Sequence, residues 1–229
     1  MGHIVALGGG GFSMEDSPLL DDYILSLGRQ PRPRICFLGT ASGDNENYVV
    51  RFYRRFSRAD CRPTHLELFR RAEQDLEGFA KEQDIFYVGG GNTANMLAVW
   101  RLHGFERALK AAYAEGTVLA GVSAGAVCWF EQGVTDSFGR DLSGMEGLGM
   151  LSGSFCPHYD GEPLRRPRYH ELVAAGMPAG IAADDSVAVH YEEGVVARAV
   201  GSRKEARAFY VRQDADRVVE EPLGVQYLG

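Results

Sequence analysis

Residues 117–130 read Thr-Val-Leu-Ala-Gly-Val-Ser-Ala-Gly-Ala-Val-Cys-Trp-Phe. The apolar run Thr117 to Val122 has the length and composition of a buried strand, and Ala124 to Phe130 has helix-forming character. Between them, Gly121-Val122-Ser123-Ala124-Gly125 matches Gly-x-Ser-x-Gly. Small flanking residues allow a sharp strand-to-helix turn that leaves a serine Oγ exposed. That turn aims the Ala124 N–H at a developing oxyanion, and the helix N-terminus adds partial positive charge. A buried serine in a Gly/Ala-rich turn is the simpler reading of the pentapeptide alone. The strand before it and the helix after it favour the nucleophile.

The same alternation extends on both sides. Upstream, His3 to Leu7, Arg34 to Leu38 and Asp84 to Val88 read as strands, with a further one near Thr64 to Phe69. Helical spacing appears over Leu19, Leu20, Tyr23, Ile24 and Leu27, after Ser17-Pro18 and before Gly28. It appears again over Asn47 to Arg58, whose basic run Arg51 to Arg58 reads as a solvated face. A helix capped by Asn92 or Thr93 carries Met96, Leu97 and Trp100, and another spans about Phe105 to Glu115. Downstream, Gln132 to Ser154 reads as loops and short strands, and Pro167 to Ala175 as a helix. The end is β-rich: Ser186 to His190, Val195 to Val200 and Ala206 to Val211. No linker-like stretch or internal repeat interrupts residues 1–229, so a single domain is expected. Alternating β and α predicts a mainly parallel sheet covered on both faces. The working site of such a sheet lies at the carboxyl ends of its strands.

Composition narrows the function. Net charge is 24 − 31 = −7, which argues against nucleic acid as the main partner. No apolar run reaches the roughly 18 residues of a membrane span, and the N-terminus lacks a signal-peptide pattern. Cys36, Cys61, Cys128 and Cys156 form no Cys-x-x-Cys pair, and a reduced, cytoplasmic protein is expected. Glycine supplies 29 of 229 residues, about 13%, against roughly 7% in average usage. Three groups stand at strand ends: Gly8–Gly11, Gly89–Gly91, and Gly121 with Gly125. The first fails both the dinucleotide and the Walker spacing.

A serine nucleophile needs a base. Of the six histidines, His3 begins a strand, His65 and His103 lack a nearby catalytic pattern, His170 sits in a helical stretch, and His190 sits in a late strand. His158, in the loop-like Cys156-Pro157-His158-Tyr159-Asp160, is the expected base. No second histidine stands at a ligand spacing from it, so no metal is expected. The acid that orients it is open among Asp184, Asp185, Asp136, Asp141 and Glu146.

Four segments together resemble the peptidase E family of serine peptidases, family S51, which includes aspartyl dipeptidases and cyanophycinases. They are Val88-Gly89-Gly90-Gly91-Asn92-Thr93, Gly121 to Ala126, Pro157-His158-Tyr159-Asp160, and Asp185-Ser186-Val187-Ala188-Val189. The resemblance implies a three-layer α/β sandwich with a central, mostly parallel sheet, like class I glutamine amidotransferase domains (flavodoxin-like). It implies Ser123 as nucleophile and His158 as base. The triad acid falls on Asp185, where the family commonly has glutamate; Asp136 and then Asp184 are the alternatives. Gly90 or Gly91 with Ala124 would form the oxyanion hole, and Asn92, Tyr159 and Arg165 would contact substrate. The Gly161-Glu162-Pro163-Leu164-Arg165 segment departs from the family's Gly-Glu-Thr-Arg by one extra residue and a missing threonine.

The implied function is a serine dipeptidase preferring N-terminal aspartate, working through an acyl-enzyme without metal or cofactor. The alternatives are a cyanophycinase-like hydrolase of β-aspartyl-arginine substrates and a non-catalytic binding domain on the same scaffold. A small peptide is the expected partner, with no nucleic acid and no membrane; monomer and homodimer both remain open.

Overall fold

The computed structural model describes residues 2–229. Its first sheet begins with β1 (His3–Leu7), whose Ile4 and Ala6 face one apolar cluster while Val5 and Leu7 face another. A strand buried on both sides needs covers on both sides, and helices provide them. The chain continues through α1 (Leu19–Ser26), β2 (Arg34–Leu38), α2 (Glu46–Phe56), β3 (Arg62–Leu66), α3 (Leu76–Lys81) and β4 (Ile85–Val88). It then forms α4 (Thr93–His103), α5 (Phe105–Ala114), β5 (Val118–Val122) and the short α6 (Ala124–Val127). Strands β1, β5, β4, β2 and β3 lie side by side in that order, all parallel.

Local sequence explains the helices. Asn45 Oδ1 accepts the Tyr48 N–H at the start of α2, and Tyr48, Phe52 and Phe56 at i, i+4 and i+8 are buried against β2 and β4. Asn92, rather than Thr93, caps α4 by accepting the Asn95 N–H at 2.8 Å. Gly104 ends α4 in the left-handed conformation at φ 67°. The basic face of α2 is not wholly solvated: the Arg55 side chain is 18% exposed and pairs with Asp21 and Asp22. All four cysteines are free and buried. Burial alone holds the Cys36 and Cys128 thiols well above their ordinary range.

The second half builds a further layer. It comprises β6 (Phe130–Thr135), β7 (Ser143–Glu146), β8 (Leu151–Cys156), α7 (Arg165–Ala174), β9 (Gly180–Ala183), β10 (Val187–Glu192), β11 (Val195–Gly201), β12 (Ala208–Asp214), β13 (Arg217–Leu223) and β14 (Val225–Tyr227). Strands β10, β11 and β14 extend the first sheet beyond β1, with β10 antiparallel to it. The others form a six-stranded sheet ordered β13-β12-β9-β8-β6-β7. One of its faces packs on the first sheet, with Phe130 stacked on Phe155 at 4.9 Å and edge-on to Tyr191 of β10. The other face, carrying Val134, Cys156 and Val211, lies under Tyr169 and Val173 of α7. The mixed α/β fold agrees with the expected sandwich, but the stretch expected to be loops and short strands is part of a second sheet. No described helix is long and apolar enough to cross a membrane.

Asp21 supplies a pH test of this packing. Its side chain is fully buried, bonded to Arg55 Nε at 3.0 Å and to the Phe12 N–H at 3.2 Å. Burial pushes its carboxyl up to about 6, with Arg55 pulling the other way. The folded state therefore holds this proton more tightly than the unfolded chain. Its contribution is complete below about pH 4 and is lost as pH rises through about 6. The unfolding free energy of the wild type minus that of Asp21→Asn should fall by roughly 3 kcal/mol across that window and stay level above it. A flat difference in urea titrations at several pH values contradicts the burial argument.

Candidate active site

Strand β5 delivers Ser123 at φ 56°, ψ −114°, outside the regions L-residues prefer. The turn is possible because nothing crowds it. A Cβ on Gly121 would stand 2.0 Å from the Gly125 carbonyl oxygen, and one on Gly125 would stand 2.4 Å from that of Val88. The Ser123 N–H donates to the Leu7 carbonyl at 3.1 Å, and its own carbonyl accepts from Ala126 and Val127, both at 2.9 Å. These bonds fix the backbone, and the side chain stays partly exposed.

The loop after β8 brings His158 to the same end of the sheet, with its N–H on the Gly8 carbonyl at 3.2 Å. His158 Nδ1 lies 2.6 Å from Asp185 Oδ1. This distance is that of a charge-assisted bond, and it leaves Nε2 as the nitrogen available for proton transfer. Among the described residues, Ser123 Oγ makes no side-chain hydrogen bond; such contacts often tighten only in the substrate complex. Ser123, His158 and Ser186 all have positive φ, at 56°, 54° and 69°. Strained non-glycine residues gathered at one place are a mark of a functional site.

Gly9 lies beneath the imidazole–carboxylate pair. A Cβ there would stand 1.9 Å from Asp185 Oδ1 and 3.1 Å from His158 Nδ1.

Several expected residues fall elsewhere. Asp136, Asp141 and Glu146 are exposed, and Asp184 accepts the Arg207 N–H at 2.8 Å, so none of these acids is bonded to His158. The other histidines are engaged away from the serine: His65 with Tyr53, His103 with Arg71, His170 with Glu220, and His3 with His190. The Gly90 N–H donates to Tyr48 Oη at 3.2 Å. The Gly91 N–H has no acceptor among the described residues and is the more available of the two donors. Ala124 opens α6, where helix N–H groups lack intrahelical partners.

The three expected substrate contacts are already committed. Asn92 Oδ1 caps α4, and its Nδ2 donates to the Ser137 carbonyl at 3.0 Å. Tyr159 is buried between Tyr169 and Phe209 and donates to Glu220. Burial, and then the Glu220 carboxylate, hold its phenol far above the ordinary value. Arg165, with its side chain 4% exposed, donates to Glu162 at 2.7 Å and to the Val134 carbonyl at 3.1 Å. It ties the histidine loop to β6 and is not an open seat for a substrate anion.

Other residues support the pair without having been foreseen. Asp160 Oδ1 accepts the Asp185 N–H at 2.9 Å, and Arg203 bonds both Asp160 Oδ2 at 2.5 Å and the Asp185 carbonyl at 3.1 Å. Glu15 gathers the Gly11 N–H, Ser186 Oγ and Ser202 Oγ, joining the first glycine loop to the acid's loop. Their chain separations, up to 187 positions for Glu15 and Ser202, leave no spacing signal.

Comparison with known proteins shows the family. The family model for Peptidase family S51 matches residues 4–198. The chain belongs to peptidase family S51. It is 51% identical, over the full length of both chains, to the uncharacterized peptidase YgaJ of Bacillus subtilis (strain 168). The crystal structure of a peptidase from an acI-B1 Actinobacterium superposes with a TM-score of 0.76 at 18% identity, covering 98% of this chain and 95% of that one. A putative peptidase E protein from Listeria monocytogenes EGD-e gives 0.57 at 16% identity, covering 98% and 100%. The S51 protein is therefore a peptidase, and a serine type fits its family.

Gly9→Ala places the extra methyl against the Asp185 carboxylate and should lower kcat about 100-fold or more with the fold intact by circular dichroism. Unchanged peptide turnover shows that the His158–Asp185 contact is not needed in this form.

Proposed function

We propose that this S51 peptidase is a serine exopeptidase, a dipeptidase preferring N-terminal aspartate, acting through an acyl-enzyme on Ser123. The observation that carries the reading is the 2.6 Å His158 Nδ1–Asp185 Oδ1 contact at the same sheet end as the strained Ser123 turn. In the reaction, Ser123 Oγ bonds to the scissile carbonyl carbon while its proton passes to His158 Nε2. Asp185 accepts the Nδ1 hydrogen bond and stabilises the imidazolium. The Gly91 and Ala124 N–H groups receive the oxyanion, each donor being worth about 2.7–4 kcal/mol in such sites. The C–N bond then breaks as His158 returns the proton to the leaving amine. Water, deprotonated by His158, then bonds to the acyl carbon, the ester bond to Ser123 Oγ breaks, and His158 returns the proton to the serine oxygen.

The aspartate preference rests on the family resemblance. Arg165 is buried and committed to Glu162 and Val134, whereas Arg203 bonds Asp160 and the Asp185 carbonyl through Nη2 only and its side chain is 44% exposed, so the cation for the substrate carboxylate is assigned to Arg203. Guanidinium suits a carboxylate because its fork binds bidentately.

A dipeptide panel separates the parts. Ser123→Ala should lose at least about 10⁴-fold in kcat on every substrate, and retained turnover by a folded Ser123→Ala sinks the acyl-enzyme. Arg203→Ala should lose the preference for Asp-Leu over Ala-Leu, over and above any fall common to both substrates from loosening the Asp160–Asp185 contacts. A preference lost in Arg165→Ala and kept in Arg203→Ala returns the anchor to Arg165. A wild type that cleaves β-aspartyl-arginine polymer and spares dipeptides favours the cyanophycinase-like alternative.

A further inference from the structure

At the other end of β1 lies a cluster that the peptidase chemistry does not use. The antiparallel register of β1 and β10 sets His3 opposite Glu192 and Val5 opposite His190. Strand alternation puts His190 and Glu192 on one face, and His3 shares it. His3 Nδ1 lies 3.0 Å from His190 Nε2, and ligand atoms of all three residues lie within 4.8 Å of one another. We propose that His3, His190 and Glu192 form a binding site for a divalent transition metal of the zinc class, separate from Ser123.

The donor set suits such an ion. Two imidazole nitrogens and a carboxylate oxygen are a common three-ligand set for zinc, with water completing a tetrahedron. Ligands about 2.0–2.1 Å from the ion stand roughly 3.3 Å apart. The histidine pair therefore needs to open by only a few tenths of an ångström. Tyr23 of α1 places its hydroxyl 2.7 Å from His190 Nδ1, the nitrogen facing away from His3. An outer partner on the second nitrogen fixes the tautomer that leaves Nε2 free to ligate.

A hydrogen bond between the two imidazoles accounts for the 3.0 Å contact. The Glu192 side chain, which makes no hydrogen bond or ion pair among the described residues, supplies the third donor. Arg198, opposite His190 on β11, is the nearby positive charge, and it is exposed to solvent. The distance from His3 to the end of β1 is roughly 13 Å at the usual rise per residue, which separates this site from the serine.

The test uses the tag-free full chain, stripped with EDTA and titrated with zinc chloride by calorimetry. One saturable site of micromolar or tighter affinity is expected, with a zinc-dependent rise in Tm. His3→Ala and Glu192→Gln, both at partly exposed positions and checked by circular dichroism, should each weaken binding at least about tenfold. His158→Ala should bind as the wild type does, because His158 and Asp185 are the rival locus. Absence of saturable binding, wild-type affinity in His3→Ala or Glu192→Gln, or loss of binding in His158→Ala each overturns the proposal.

Discussion

The hydrogen bond between His158 Nδ1 and Asp185 Oδ1 constrains everything around it. Its partners come from loops after β8 and β9, strands of the second sheet, yet it sits over the glycine loop that ends β1 of the first. Both sheets must meet at one point for it to form. The Gly8 N–H on the Val187 carbonyl, the His158 N–H on the Gly8 carbonyl and the Ser186 N–H on the Gly9 carbonyl hold that junction. With His158 and Asp185 side chains only 12% and 27% exposed, water competes poorly for the contact.

Backbone shape is the second constraint. Gly9 leaves room for the pair, and Gly121 with Gly125 lets β4, β5 and α6 approach closely enough to form the Ser123 turn. Glycine weakens a chain by its backbone freedom, and the fold offsets that cost with aromatic packing. Phe37, Phe52, Phe56 and Tyr87 pack around Phe12 on one side of the first sheet, and Trp100 packs with Trp129 on the other. The glycine surplus thus marks the rim of the proposed active site more than it marks ordinary turns.

Much of this was legible from short-range pattern. Parallel strands β1, β2, β4 and β5 carry short apolar runs, so the carboxyl-end site could be read directly, as could the Ser123 turn. His158 was legible from its loop-like segment, and Asp185 became so through four segments matching one family. What stayed hidden depends on long-range pairing. Strands β6 to β9 are four to six residues long and glycine-interrupted, so neither period stands out and their sheet was missed. Tyr159 and Arg165 carry the right chemistry near the right motif, but Glu220, the Val134 carbonyl and Glu162 claim them. His3 and His190 stand 187 positions apart, and only the β1–β10 register joins them.

In the proposed mechanism Asp185, through His158, makes Ser123 a nucleophile. The most direct measurement is the rate at which a fluorophosphonate labels the protein, with the adduct located by mass spectrometry. The wild type should be labelled on Ser123, and Asp185→Asn should be labelled at least about 100-fold more slowly with its fold unchanged. Labelling at another residue, or equal rates in the two proteins, contradicts the account.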